Sequence, residues 1–319
     1  MPVPYDGCWV LVAPRSRLPQ LDPLVELRSA GGPVRVVARE DPPAADEWPR
    51  LVPAGAAGVL LVGDRRRAPG TVTDGPFVRA ADGGWVPVGW LPGAADLTAF
   101  VRATVDVAPR RDRSPVVVLG QRSPRYQRLS ERLVHHLGDL PSVCWGAERI
   151  TREDLLAALG LGLGAAVYLG HGRPSGWAAY RGLRAAHLAP TPDGLSAPLG
   201  ALLSLTCWTA SRRGVGTSFS EQVVLQGSAA SAVGAVRPVL HLDNTRIVVA
   251  LAAALRGTAP DIGSLLRGML LSPDGPTGEA SSYRLVGDPL ASLAGGADAL
   301  IRAQDVFAPS PDYALEAVR

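Results

Sequence analysis

The chain has 319 residues, 47% of them hydrophobic and 19% charged, which excludes an intrinsically disordered segment and leaves room for a substantial core. Its net charge is only +3. The basic runs "GDRRRAPG" and "APRRDRSP" are too short, and too poor in aromatics, for a nucleic-acid-binding stripe. Three cysteines, Cys8, Cys144 and Cys207, do not form a disulfide framework.

In chain order, the first part alternates strand and helix. "CWVLVAP" reads as a short apolar strand, "LPQLDPLVELRSAGG" as a helix ending on glycines, "PVRVVAR" as a second strand and "AAGVLLVGD" as a buried third. The polar stretch "GTVTDGPFVRAADGGWVPVGWLPGAAD" predicts a hairpin and loops, and "LTAFVRATVDVA" a helix. The charged, Pro-flanked "PRRDRSP" at 109–115 is the best domain boundary, dividing the chain into 1–110 and 111–319.

The second part restarts the alternation. Strands are expected at "PVVVLG", "SVCWG", "AAVYLG", "ALLSLT" and "SAVGAVRPV". Helices are expected at "RYQRLSERLVHHLG", "TREDLLAALG", "SFSEQVVLQG", "TRIVVALAAALRG" and "DIGSLLRGMLL", and "YRLVGDPLASL" closes the pattern. Thr151 with Asp154, and Ser218 with Glu221, have the spacing of capping boxes. Strands joined by helical crossovers predict an α/β protein with mostly parallel sheets.

Two residues carry the chemical promise. His171 and Cys207 each fall just past the carboxyl end of a predicted parallel strand, where open α/β sheets build their sites. Strands that follow one another through a crossover are usually neighbours, about 4.8 Å apart, so both side chains can reach one cleft. An imidazole beside a thiol raises its thiolate fraction and can later protonate a leaving amine. The backbone N–H groups of Gly172 and Cys207 are the candidate oxyanion donors. A buried cysteine is also an ordinary small core residue, and "GHG" an ordinary turn, so spacing alone leaves both readings open. Cys144 and Cys8 read as core or capping residues. His135 and His136 ride on a helix, and His187 and His241 fall in poorly defined segments.

No pair of histidines or cysteines has metal-ligand spacing, and "GLGLG" precedes a strand where a dinucleotide loop would follow one, so neither a metal nor another cofactor is expected. The N-terminus lacks a basic region followed by an apolar stretch, and "IVVALAAAL", bracketed by Arg246 and Arg256, is far short of the ~20 residues of a membrane span. The expectation is a cytoplasmic protein without membrane or nucleic-acid partners.

The ordered motifs resemble the gingipain-like cysteine peptidases of the caspase-like clan. "YLGHG" followed by Trp177 resembles their histidine motif, and "ALLSLTCWT" their nucleophile strand. "SFSEQVVLQGSAASAVGAV", "YRLVGDPLASL", "AAGVLLVGDRRRAPG" and "GWLPGAADLTAFV" resemble four further segments, the last with Trp90 in place of an arginine. The resemblance implies a caspase-like three-layer α/β/α fold of two subdomains, with the site in the second. It implies a cysteine endopeptidase acting on a protein or peptide substrate through a dyad of Cys207 and His171. It also implies oxyanion roles for Gly172 and Cys207. Glu221 and Asp288 match too, and read as a capping residue and a turn.

The familiar secreted members carry acidic residues after the first strand of the second subdomain. Here that segment, "VVVLGQRSPRYQ", has none. Gln121 or a backbone carbonyl is left to orient His171, an arginine-selecting pocket is not expected, and Arg122 or Arg125 would favour an acidic or polar substrate residue. Trp177 and Trp208 are further candidates for the pocket or for orienting the dyad. An intracellular enzyme with an activating protein partner fits better than a secreted one. The competing readings are a catalytically degenerate binding module in a larger assembly, and a thiol acyl-transfer activity such as peptide ligation.

Overall fold

A computed structural model describes residues 4–63, 75–146, 149–190, 196–257, 259–272 and 282–307. The basic run that begins at Gly63 continues outside the described residues from 64 onward. The strands are β1 (Trp9–Ala13), β2 (Val34–Ala38), β3 (Gly58–Gly63), β4 (Phe77–Arg79), β5 (Trp85–Pro92), β6 (Val116–Gly120), β7 (Ser142–Trp145), β8 (Ala165–Leu169), β9 (Gly172–Arg173), β10 (Gly176–Trp177), β11 (Leu199–Leu205), β12 (Ala229–Ala235) and β13 (Tyr283–Gly287). Eleven of these described strands form one sheet in the order β2-β1-β3-β5-β13-β12-β11-β8-β6-β7, with β4 paired to β5. Pairing is parallel within β2-β1-β3-β5 and within β12-β11-β8-β6-β7, and β13 runs antiparallel to β12. Residues 109–115 lead from the Thr98–Val107 helix into β6, and the sheet runs on through β5 and β13.

Both faces of the central strands are apolar because both are covered. Along β6, Val117 and Leu119 join one core with Leu155, Leu159 and Phe219, while Val116 and Val118 join another with Leu129, Leu133 and Ile247. The alternation follows the two-residue repeat of a strand. Helices Leu18–Ser29, Thr98–Val107, Arg152–Leu159 and Phe219–Leu225 therefore cover one side. Helices Pro124–Leu137, His241–Arg256 and Ile262–Leu270 cover the other. The result is a mixed, mostly parallel three-layer α/β/α architecture.

One segment differs from its sequence reading. The stretch read as a hairpin and loops does contain the β4–β5 hairpin, but β5 goes on as a central strand between β3 and β13. Its two prolines and exposed Trp85 hide that role in the sequence, and tertiary pairing overrides them.

Candidate active site

The last residues in register across three adjacent strands are Gly120 of β6, Leu169 of β8 and Leu205 of β11. His171 and Cys207 each stand two residues beyond this line, on neighbouring parallel strands. Gly172 closes the space between them. A Cβ built on it would lie 2.6 Å from the Cys207 carbonyl oxygen and 2.6 Å from Thr206 Cγ2. Glycine is required here because the two loops touch backbone to backbone.

The backbone of His171 is fixed from both sides. Its N–H donates to Gln121 Oε1 at 2.8 Å. Its carbonyl accepts from the Tyr168 hydroxyl at 3.0 Å and from Ala178 N–H at 2.9 Å. The last bond closes the small hairpin of β9 and β10. Trp177 ends that hairpin in the core, 2% exposed, stacked on Tyr168 at 4.2 Å and donating from Nε1 to Ser204 Oγ at 2.9 Å. It supports both strand ends from beneath. Arg122 is exposed on the loop after β6.

The imidazole meets a residue that the sequence reading did not single out. Tyr126 Oη lies 3.3 Å from His171 Nδ1, with the rings edge to face at 5.2 Å. Tyr126 is 6% exposed, and burial pushes its hydroxyl above the ordinary tyrosine range, against the pull of nearby Arg125. It remains a neutral phenol, able to accept from Nδ1–H. The available signal was Ser123 before Pro124, a helix start that places Tyr126 in the first turn, beside the end of β6.

The Cys207 thiol is partly buried. The Val239 N–H donates to Sγ at 3.3 Å, and Sγ reaches the Val239 carbonyl at 3.8 Å. Thr206 N–H turns back onto the Ser204 carbonyl at 2.9 Å, and Trp208 takes a left-handed φ of 68°. For a bulky residue that conformation costs on the order of 1 kcal/mol, and it turns the chain sharply out of the strand straight after the thiol. Trp208 is partly exposed, with the Arg213 guanidinium over its ring at 5.2 Å.

The chain then folds onto a buried carboxylate. Glu221 is fully buried, accepts from Arg212 Nε at 3.0 Å through both oxygens, and caps its own helix through Ser218 N–H at 2.9 Å. The capping box with Ser218 is present as the spacing predicts, as is that of Thr151 and Asp154. Arg212 and Arg284 both stand over the Trp90 ring, at 4.8 and 5.2 Å. Asp288 is more than the turn residue the sequence suggests. Fully buried, it pairs with Arg28 and accepts from Trp9 Nε1 at 3.2 Å, tying together segments some 260 residues apart.

The other thiols are poor competitors, since burial pushes both Cys8 and Cys144 above the ordinary cysteine range. Among the described residues no group of three His, Cys, Asp or Glu is placed to hold a metal ion, and no helix is long and apolar enough to cross a membrane.

A thiol and an imidazole thus stand at adjacent strand ends, with glycine backbone packed between them. Residues 132–294 match the model of peptidase family C25. The chain belongs to this family. It is a cysteine peptidase, a hydrolase of peptide bonds. The matched region spans β8, β11, β12 and β13, and so both candidate residues. The fold is shared with solved gingipain structures. The complex of Porphyromonas gingivalis RgpB pro- and mature domains is 14% identical, with a TM-score of 0.66 over 90% of this chain and 80% of that one. The Arg specific cysteine proteinase gingipain R (RGPB) is 14% identical, with a TM-score of 0.64 over 92% and 80%. A search of curated proteins returns no match.

Proposed function

We propose that this C25 peptidase is an endopeptidase in which Cys207 is the nucleophile and His171 the general base and acid. The observation that carries the assignment is the shared position of the two residues, each two places past the last paired residue of adjacent parallel strands. With Nδ1–H donated to Tyr126, His171 Nε2 takes the thiol proton. The thiolate attacks the scissile carbonyl carbon, and the oxyanion is met by the N–H groups of Gly172 and Cys207. The C–N bond breaks as His171 returns the proton to the departing amine, leaving a thioester on Cys207. Water, deprotonated by His171, then releases the carboxylic acid and restores the thiol. Tyr126 is a positioning residue here, and Gln121 holds the loop that presents the imidazole.

Retention of both thiol and imidazole in this geometry supports catalysis over a degenerate binding module. Cys207→Ala and His171→Ala are each expected to lower peptide cleavage at least ~1,000-fold with little change in thermal stability. Full activity in either variant would overturn the assignment. Mass spectra of the products separate hydrolysis from ligation. The proposal extends to a reducing, cytoplasmic setting and a protein activator, the former supported by three free thiols. Cell fractionation tests the first point. Activity of the purified chain with and without cell extract tests the second.

A further inference from the structure

The strand that carries the proposed nucleophile ends on a buried polar contact that the dyad itself does not use. Leu205 is the last residue of β11 in register with β8, and one residue, Thr206, separates it from Cys207. The side chain of Asn244 donates from Nδ2 to the Leu205 carbonyl at 2.9 Å. Its Oδ1 accepts from the Tyr283 hydroxyl at 2.7 Å. Leu205 and Tyr283 are fully buried, and Asn244 is 4% exposed. The amide can sit only one way round. A carbonyl accepts and never donates, so the NH2 group faces Leu205 and the oxygen is left for Tyr283.

Packing alone would favour an apolar side chain at this position. Asn244 lies in the first turns of helix His241–Arg256, whose buried face continues with Ile247, Val248 and Leu251. A buried amide costs free energy unless it is hydrogen-bonded, and asparagine is a poor helix former. The bonds that offset this cost tie the helix to the end of β11 and to the start of β13, where Tyr283 pairs with Ala235 of β12. The same helix start also reaches the thiol. Asn244 N–H donates to the Leu240 carbonyl at 3.2 Å, and Val239, the residue before Leu240, donates its N–H to Cys207 Sγ at 3.3 Å. A ring of contacts therefore runs from Leu205 through Cys207, Val239, Leu240 and Asn244 back to Leu205. With the planar peptide after Leu205 held by Asn244, only the torsions of Thr206 and of Cys207 itself decide where Sγ stands.

We infer that Asn244 is a positioning residue for Cys207, held in its working orientation by Tyr283, and that the pair sets the direction from which Sγ approaches the scissile carbonyl carbon. The inference rests on the assignment of Cys207 as nucleophile and extends it across the sheet to β13. A shift of about 1 Å in a reacting atom can lose about 100-fold in rate, and because substrate contacts made elsewhere are untouched, the loss falls on kcat.

The test is steady-state cleavage of one peptide substrate by the full chain and its variants, each assayed well below its own melting temperature. Asn244→Leu keeps the volume and removes donor and acceptor together, so kcat should fall about 30-fold with KM within about twofold of wild type. Tyr283→Phe keeps the ring and frees the amide to turn, so kcat should fall about fivefold. In the double variant Tyr283→Phe should add nothing to Asn244→Leu, because the hydroxyl acts through the amide. A folded Asn244→Leu variant with wild-type kcat and only a lower melting temperature would overturn the inference, as would a loss confined to KM or losses that multiply in the double variant. If Asn244→Leu does not fold, Tyr283→Phe decides alone, and an unchanged kcat overturns the inference. If wild type and Cys207→Ala cleave equally, or wild type cleaves nothing, the assignment of the nucleophile fails and the inference falls with it.

Discussion

The two strand ends that carry the proposed dyad are held in different ways. The histidine end is fixed by neutral hydrogen bonds close to the chemistry: Gln121 and Tyr168 on the backbone of His171, and Tyr126 on its ring. Beyond the thiol, the cysteine end is held at a distance. Its strained turn at Trp208 leads into a loop fastened by the half-buried Arg212 on the buried Glu221 and stacked on Trp90. Neutral hydrogen bonds contribute about 1 kcal/mol each, whereas hydrogen bonds to charged groups contribute about 1.5–3 kcal/mol. The difference separates the two in function. Changes at the histidine end should alter rate with little loss of stability, and changes behind the cysteine should act through folding.

The largest effect should follow from breaking the distant clamp. Glu221→Ala removes the helix cap and the charge-assisted hydrogen bonds from Arg212, and is expected to cost about 3 kcal/mol in urea denaturation, with activity falling alongside. A variant of unchanged stability would break the contrast. The contact joining the two ends comes next. Gly172→Ala puts a methyl group 2.6 Å from the Cys207 carbonyl oxygen, so the loops must part. A loss of at least ~100-fold in kcat/KM is expected, against a destabilisation of about 1–2 kcal/mol read by thermal melting. Equal losses at both readouts would place Gly172 on the folding side of the comparison. The smallest effect belongs to Tyr126→Phe. It keeps the packed ring and removes the acceptor for Nδ1–H, so kcat/KM should fall about tenfold with a stability change near 1 kcal/mol. The loss should fall on kcat, with KM nearly unchanged. A purely structural tyrosine would leave kcat in place and lower only the melting temperature.

Much of this arrangement is legible in the sequence because it is local. Capping boxes at Thr151 and Ser218 depend on residues three positions apart, and the apolar runs before His171 and Cys207 mark buried strands on their own. The part that is not legible depends on distant partners. The Arg28–Asp288 pair and the two guanidiniums over Trp90 are contacts across 260, 122 and 194 residues, with no periodicity to announce them. Gln121 is a plausible partner for His171 on sequence grounds. Only the placement of β6 beside β8 shows that it takes the backbone and leaves the ring to Tyr126.

By itself the sequence determined the alternation of strands and helices, the two chemically capable residues at strand ends, and the lack of acids in the loop after β6. Each is fixed by residue type and short-range spacing. Tertiary structure decided which strands are neighbours, that β5 is central, and that Gly172 has to be glycine because backbone meets backbone there. Those outcomes depend on sheet register, which sets distances between segments that the chain order keeps far apart.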